Sequence, residues 1–215
     1  MDRYIRNLID QGEHQQLDFK FEISDAKKIA RTFSAFANTK GGILLVGVKD
    51  NGVISGIKTD EEDYMVESAA HLFCKPAVDY STRRWNVDGK WVLEVKIPES
   101  GMKPTYARTD EGKWMAYVRI KDENFLANVV MLNVWKLKNQ SRGVYLRYGV
   151  NEKKVLKTLK ENEMLTSREI ASKTEGKKYF VERILAKLIS ISVVEIIFSE
   201  HSVFYRLKSP DDLKY

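Results

Sequence analysis

The densest basic and aromatic groups of this chain fall in two places. One comprises Lys177, Lys178, Tyr179, Arg183 and Lys187, with the last three spaced to share one side of a helix. The other is Arg83-Arg84-Trp85 with Lys90-Trp91, on either side of Asp88-Gly89. Lysine and arginine neutralise phosphates, arginine forks onto guanine edges, and aromatic rings stack on bases. Both groups therefore carry the side-chain types of a nucleic-acid surface. In the first, Lys177 and Lys178 suit phosphate contacts and Arg183 a guanine edge. The second has a plainer alternative, a solvated sheet face with tryptophan in the core, because strand alternation puts neighbours on opposite faces.

Composition points the same way without settling it. A formal net charge of +6 favours polyanionic partners. A length of 215 residues with 43% hydrophobic content can fill one large domain or two ordinary ones. The longest apolar runs fall far below the ~18 residues of a membrane span, and Met1-Asp2-Arg3 opens no signal peptide, so the expected location is cytoplasmic, away from membranes. The single cysteine, Cys74, excludes an internal disulfide and a multi-cysteine zinc site. It reads as a small buried hydrophobe.

The elements that must position these groups follow from periodicity. Tyr4, Ile5, Leu8 and Ile9 suit a short amphipathic helix ending at Gly12. Leu17, Phe19 and Phe21 alternate with Gln16, Asp18 and Lys20, which predicts a strand with the polar three on one face. Ser24 is a good N-cap for a helix through Ala26, Ile29, Ala30, Phe33 and Ala37 that stops at Gly41-Gly42. Ile43-Leu44-Leu45-Val46-Gly47-Val48 has no polar alternation and reads as a buried central strand. The Asp50-Asn51-Gly52 turn predicts residues 53–57 as its hairpin partner. A helix over 59–73 and strands over 77–85, 90–97 and 114–120 follow. A further helix is expected to start near Asn124 and run through Leu137. Hairpins mixed with helices, rather than repeated β-α units, indicate an α+β fold.

The polar stretch after Leu137 marks the expected boundary, giving domains 1–142 and 143–215. The second reads as helix, helix, helix, hairpin. Val155, Leu156 and Leu159 carry the first helix, and Thr166 with Glu169 stand at capping-box spacing for the second. The third buries Val181, Ile184, Leu185 and Leu188, leaving Tyr179, Arg183 and Lys187 on its far face. A hairpin around Ser199-Glu200-His201-Ser202 completes the segment, with His201 a turn residue or a pH-sensitive contact. This small domain resembles a winged helix-turn-helix, whose third helix enters the major groove. The alternative is a helical module for protein contacts or dimerisation.

The first domain carries more specific motifs. Glu13-His14-Gln15-Gln16-Leu17-Asp18-Phe19-Lys20, Ala35-Phe36-Ala37-Asn38-Thr39-Lys40-Gly41-Gly42 and Gly47-Val48-Lys49-Asp50-Asn51-Gly52 resemble the Schlafen AlbA-like domain family, as do Lys103-Pro104-Thr105-Tyr106 and Tyr117-Val118-Arg119. The likeness covers residues 1–137. It implies an AlbA-like mixed sheet with flanking helices. Bacterial members that join this domain to a winged helix are commonly described as DNA-binding transcriptional regulators. Some animal members use three carboxylates with a divalent metal to cleave structured RNA, and by resemblance these fall on Glu13, Asp18 and Asp50. Mg²⁺ or Mn²⁺ would be the cofactor, since hard cations prefer carboxylate oxygens, and Lys20 would hold a phosphate nearby. Where the family has a glutamate this chain has the shorter Asp18, one methylene back. The plainer reading makes Glu13 a solvated carboxylate, Asp18 a partner of Lys20, and Asp50 the first residue of a turn.

ATP is argued against. There is no Gly-x-x-x-x-Gly-Lys-Ser/Thr loop, and Gly41-Gly42 leads into a strand instead of opening a helix N-terminus. Asn38 reads as a helix C-cap. The expectation is a nucleic-acid-binding protein, a DNA-binding regulator requiring no cofactor, with RNA the other target and a homodimer compatible with it. A metal-dependent endoribonuclease and a protein-interaction adaptor are the alternatives.

Overall fold

The computed structural model describes residues 2–57, 60–141, 143–199 and 202–209. The chain forms two units, Met1–Ala127 and Asn128–Tyr215. The first runs α1 (Asp2–Ile9), β1 (Leu17–Lys20), α2 (Ala26–Asn38), β2 (Gly42–Val46), α3 (Glu61–His71), β3 (Cys74–Lys75), β4 (Ser81–Val87), β5 (Lys90–Ile97), β6 (Tyr106–Arg108), β7 (Trp114–Ile120) and β8 (Glu123–Leu126). It is α+β, as expected.

The apolar run of β2 lies inside a sheet of order β1-β2-β5-β4, parallel to β1 and antiparallel to β5. Alternation sends Leu44 and Val46 into a core with Ile29 and Phe33 of α2 and Val66 of α3, while Leu45 meets Leu17, Phe19 and Ile5 of α1 on the opposite face. Strands β3-β6-β7-β8 form a second, antiparallel sheet. Between the two sheets runs α2, touching β5 on one side and β6, β7 and β8 on the other. That position explains why ten of its thirteen residues are buried and why Ala30, Ser34, Ala35 and Ala37 are small. Its N-cap is Asp25, whose side chain accepts from the Lys27 N–H at 2.8 Å, one residue later than expected.

Two further expectations change. Residues 53–57 form no strand against β2, and an isolated bridge, Val48 to Ile54, lies beyond the end of that strand. Both edges of β2 are taken by β1 and β5, and Gly47 at φ +92° turns the chain out of the sheet. Residues 123–126 are a strand, not the start of a helix. The chain reverses through Lys121 at φ +55° to pair β8 with β7, and the next helix starts only after Asn128.

The second unit runs α4 (Val129–Lys138), α5 (Val150–Lys160), β9 (Leu165–Thr166), α6 (Ser167–Lys173), α7 (Lys178–Ser190), β10 (Val194–Phe198) and β11 (Val203–Leu207). Thr166 and Glu169 form the expected capping box: the Glu169 N–H donates to Thr166 Oγ1 at 3.3 Å and the Thr166 N–H to Glu169 Oε2 at 2.8 Å. The small sheet has the order β10-β11-β9. Val155, Leu159, Ile170, Val181, Ile184, Leu185 and Leu188 are buried together with Tyr205, as their spacing predicts. The same core takes Val130 and Val134 of α4. This helix thus belongs with the second unit, and the division lies at 127/128 where the polar stretch suggested 142/143. The polar residues Asn139, Gln140 and Ser141 follow the end of α4 rather than a domain boundary.

Candidate functional site

The carboxylates of the first unit line one cleft of about 390 Å³ with Lys20, Arg119, Asp122, Glu123 and Asn124. Strand β1 turns Asp18 and Lys20 to the same face, as alternation requires, but Asp18 is buried. Its Oδ1 accepts from Arg119 Nη2 at 3.1 Å and from Lys20 Nζ at 3.1 Å, and its Oδ2 takes the Thr32 hydroxyl at 3.5 Å. Arg119 is 2% exposed; it also donates to the Leu17 carbonyl and to Asn124 Oδ1, and lies over the Phe36 ring at 5.4 Å. Its Nε is buried with no partner among the described residues. Glu13 accepts from the Phe19 N–H at 2.8 Å. Burial, reinforced by the neighbouring Asp18, pushes the Glu13 carboxyl up to about 7 against the lowering effect of that backbone bond. Asp50 is exposed in the turn after β2.

This donor set does not fit a divalent cation. Asp18 Oδ1 already accepts from a guanidinium and an ammonium, and among the described residues no three of the His, Cys, Asp and Glu side chains stand together as metal ligands. Lys20, expected to hold a phosphate, donates to Asp18 and to the Phe19 carbonyl. Sequence reasoning missed Arg119 as the partner of Asp18. The signal was an arginine inside the otherwise apolar run of β7.

The glycine pair and Asn38 are structural. A Cβ on Gly41 would meet the Ile97 carbonyl oxygen at 2.6 Å, and one on Gly42 the Phe36 ring at 2.4 Å. The Asn38 side chain, 3% exposed, donates to the carbonyls of Thr105 (2.8 Å) and Tyr117 (2.9 Å) and accepts from the Thr105 N–H (2.7 Å). It clamps α2 to the second sheet, and the C-cap is Thr39.

The Arg83-Arg84-Trp85 group is largely self-satisfied. Arg84 is paired with Asp60 and Asp63, and Arg83 stacks on Trp85 at 4.0 Å. Trp85 Nε1 donates to Glu94 Oε2 at 2.8 Å and the Tyr4 hydroxyl donates to Glu94 Oε1 at 2.6 Å, so a buried carboxylate organises the cluster. Lys90 donates to the Ile54 carbonyl at 2.8 Å, while Trp91 is half exposed. The solvated-sheet reading describes β4 better than a stacking platform.

In the second unit Lys177, Lys178, Tyr179 and Arg183 are all exposed at the N-terminal end of α7. Arg183 lies over the Tyr179 ring at 5.6 Å, and Lys178 pairs with Glu182 at 3.5 Å. Phe180 joins them, 53% exposed and edge-on to Tyr179 at 5.7 Å. It was overlooked in sequence, although it falls off the buried stripe 181, 184, 185 and 188. Lys187 differs from expectation: it is half-buried because α4 lies beside it. A groove of about 330 Å³ separates the two helices, lined by Asn133, Lys136 and Gln140 on one side and Tyr179, Arg183 and Lys187 on the other. His201 lies outside the described residues.

The family model for Schlafen, AlbA_2 matches residues 13–128. Among solved structures the chain is similar to the DIP2311 protein of Corynebacterium diphtheriae, at 22% identity and a TM-score of 0.44 over 61% of this chain and 25% of that one. It is also similar to the N-terminal domain of a protein from Nitrosomonas europaea described as ATP-dependent DNA helicase RecG-related, at 26% identity and a TM-score of 0.40 over 54% of this chain and 87% of that one. The chain thus spans about a quarter of the Corynebacterium protein's length. No helix among the described residues is long and apolar enough to cross a membrane.

Proposed function

Since the chain belongs to the Schlafen, AlbA_2 family, we propose that it is a nucleic-acid-binding protein, a DNA-binding transcriptional regulator whose second unit is a winged helix-turn-helix. In this reading α6 and α7 are the helix-turn-helix pair, α7 is the reading helix, and the β10–β11 hairpin is the wing. The observation that carries it is the joint exposure of Lys177, Lys178, Tyr179 and Arg183 at the start of α7. The first residues of such a helix are those that reach base edges, and lysines at its entry suit the flanking phosphates. Arg183, steadied by Tyr179, is the base-reading candidate. The first unit contributes a rigid scaffold, and no hydrolytic step is assigned to its carboxylate cleft.

The test is duplex DNA binding by the full chain, followed by fluorescence anisotropy as salt rises from about 50 to 200 mM. Binding should weaken steeply with salt. Lys177→Ala should lower the slope of log K against log salt by about one, and Arg183→Ala should reduce discrimination between sequences. Absence of salt-sensitive binding to DNA would overturn this reading and favour the protein-interaction adaptor.

A further inference from the structure

We propose that the groove between α4 and α7 seats a backbone phosphate of the bound DNA, so that α4, which precedes the three-helix motif, is part of the interface. The inference rests on the DNA-binding reading and extends it to a helix that the motif itself does not include. The groove walls supply hydrogen-bond donors from both sides: Asn133, Lys136 and Gln140 face Tyr179, Arg183 and Lys187. Three of the six are cations and none is a carboxylate. Among the described residues no ion pair engages Lys136, Arg183 or Lys187, the three cations that line the groove. Positive charge collected in a cleft without a counter-charge complements a polyanion.

The geometry of the two helices explains how the groove arises. Val130 and Val134 anchor α4 in the core of the unit, and Ala186 of α7, fully buried, lets the helices approach. The long polar side chains on either side of that contact then project along the same trough. The carbonyl end of α4 would by itself disfavour an anion, and Lys136 and Lys138 in its last turn offset that field. A phosphodiester fits this pattern of spread cations with amide and hydroxyl donors between them. The groove also adjoins Tyr179 and Arg183, so a strand read at the entry of α7 continues past it.

The experiment is the salt dependence of duplex DNA binding by the full chain, comparing wild type with Lys136→Gln, Lys136→Arg and Lys177→Gln. Lys136 is exposed, so thermal melting should be unchanged in both of its variants. Lys136→Gln should weaken binding several-fold and lower the log–log slope by about 0.9, the loss of one phosphate contact, while Lys136→Arg should restore the slope. If Lys136→Gln binds like wild type at every salt concentration while Lys177→Gln loses slope, the groove proposal is overturned and the DNA-binding reading stands. If wild type shows no salt-sensitive binding, both fall together.

Discussion

Asp18 and Arg119 form a buried ion pair, 3.1 Å from Oδ1 to Nη2, that joins the first strand of one sheet to the third strand of the other. Both side chains are almost wholly removed from solvent, so each is the condition for burying the other. Where the family resemblance points to a metal ligand, this chain has a fastener between layers.

Removing the cation should therefore be costly. Arg119→Met should destabilise the protein by about 3–5 kcal/mol, because it leaves the buried Asp18 with the half-exposed Lys20 and the Thr32 hydroxyl in place of a buried guanidinium. Asp18→Asn placed in that background should recover part of the loss. Urea denaturation of the four proteins gives the coupling energy, and strict additivity of the two changes would contradict the ion-pair account.

Glu13 makes stability depend on pH with a definite sign. Its folded-state carboxyl titrates near 7, above its ordinary 4.5, so between those values the unfolded chain loses the proton while the folded chain keeps it. Stability should fall as pH rises through that window and level off above it. Glu13→Gln can still accept from the Phe19 N–H and should remove this contribution, raising the urea midpoint at pH 8 but not at pH 4.5. An unchanged pH profile in the variant would show that Glu13 is not the titrating group.

Asn38 should behave as a core residue of the fold. Asn38→Ala leaves the Thr105 N–H and the Tyr117 carbonyl without this partner, and each unsatisfied buried group costs about 1–3 kcal/mol, while the Thr105 carbonyl keeps the Ser34 hydroxyl. Asn38→Asp keeps the acceptor but loses the bonds donated to Ser34, Thr105 and Tyr117, so it should also destabilise. A variant that melts like wild type but binds nucleic acid less well would instead make Asn38 a ligand contact.

The carboxylate cleft should not cleave RNA. Labelled structured RNA incubated with Mn²⁺ or with EDTA should remain equally intact, for wild type and for Asp50→Ala, because Asp18 is already neutralised by Arg119 and Lys20. Mn²⁺-dependent cleavage that disappears in Asp50→Ala would restore the nuclease reading.

The sequence by itself determined what short-range periodicity and capping encode. The alternation of Leu17 and Phe19 with Asp18 and Lys20, the unbroken run of β2, the Thr166–Glu169 capping box and the buried stripe of α7 are each written within a few residues, and each forms. The family motifs, too, were legible as strings. Tertiary structure decided which remote group met each of these faces. Strand β2 could have paired with residues 53–57 or with β5, and only the closure of the whole sheet selects between two apolar partners. The same holds for α4, whose apolar residues suit either core until Val130 and Val134 are seen in the second. The charged residues show the reason most clearly. An arginine reads alike in sequence whether it is buried on Asp18 like Arg119, paired at the surface like Arg84, or open on a helix like Arg183. Its role depends on burial and on the charge opposite it, and both are set by residues distant in the chain.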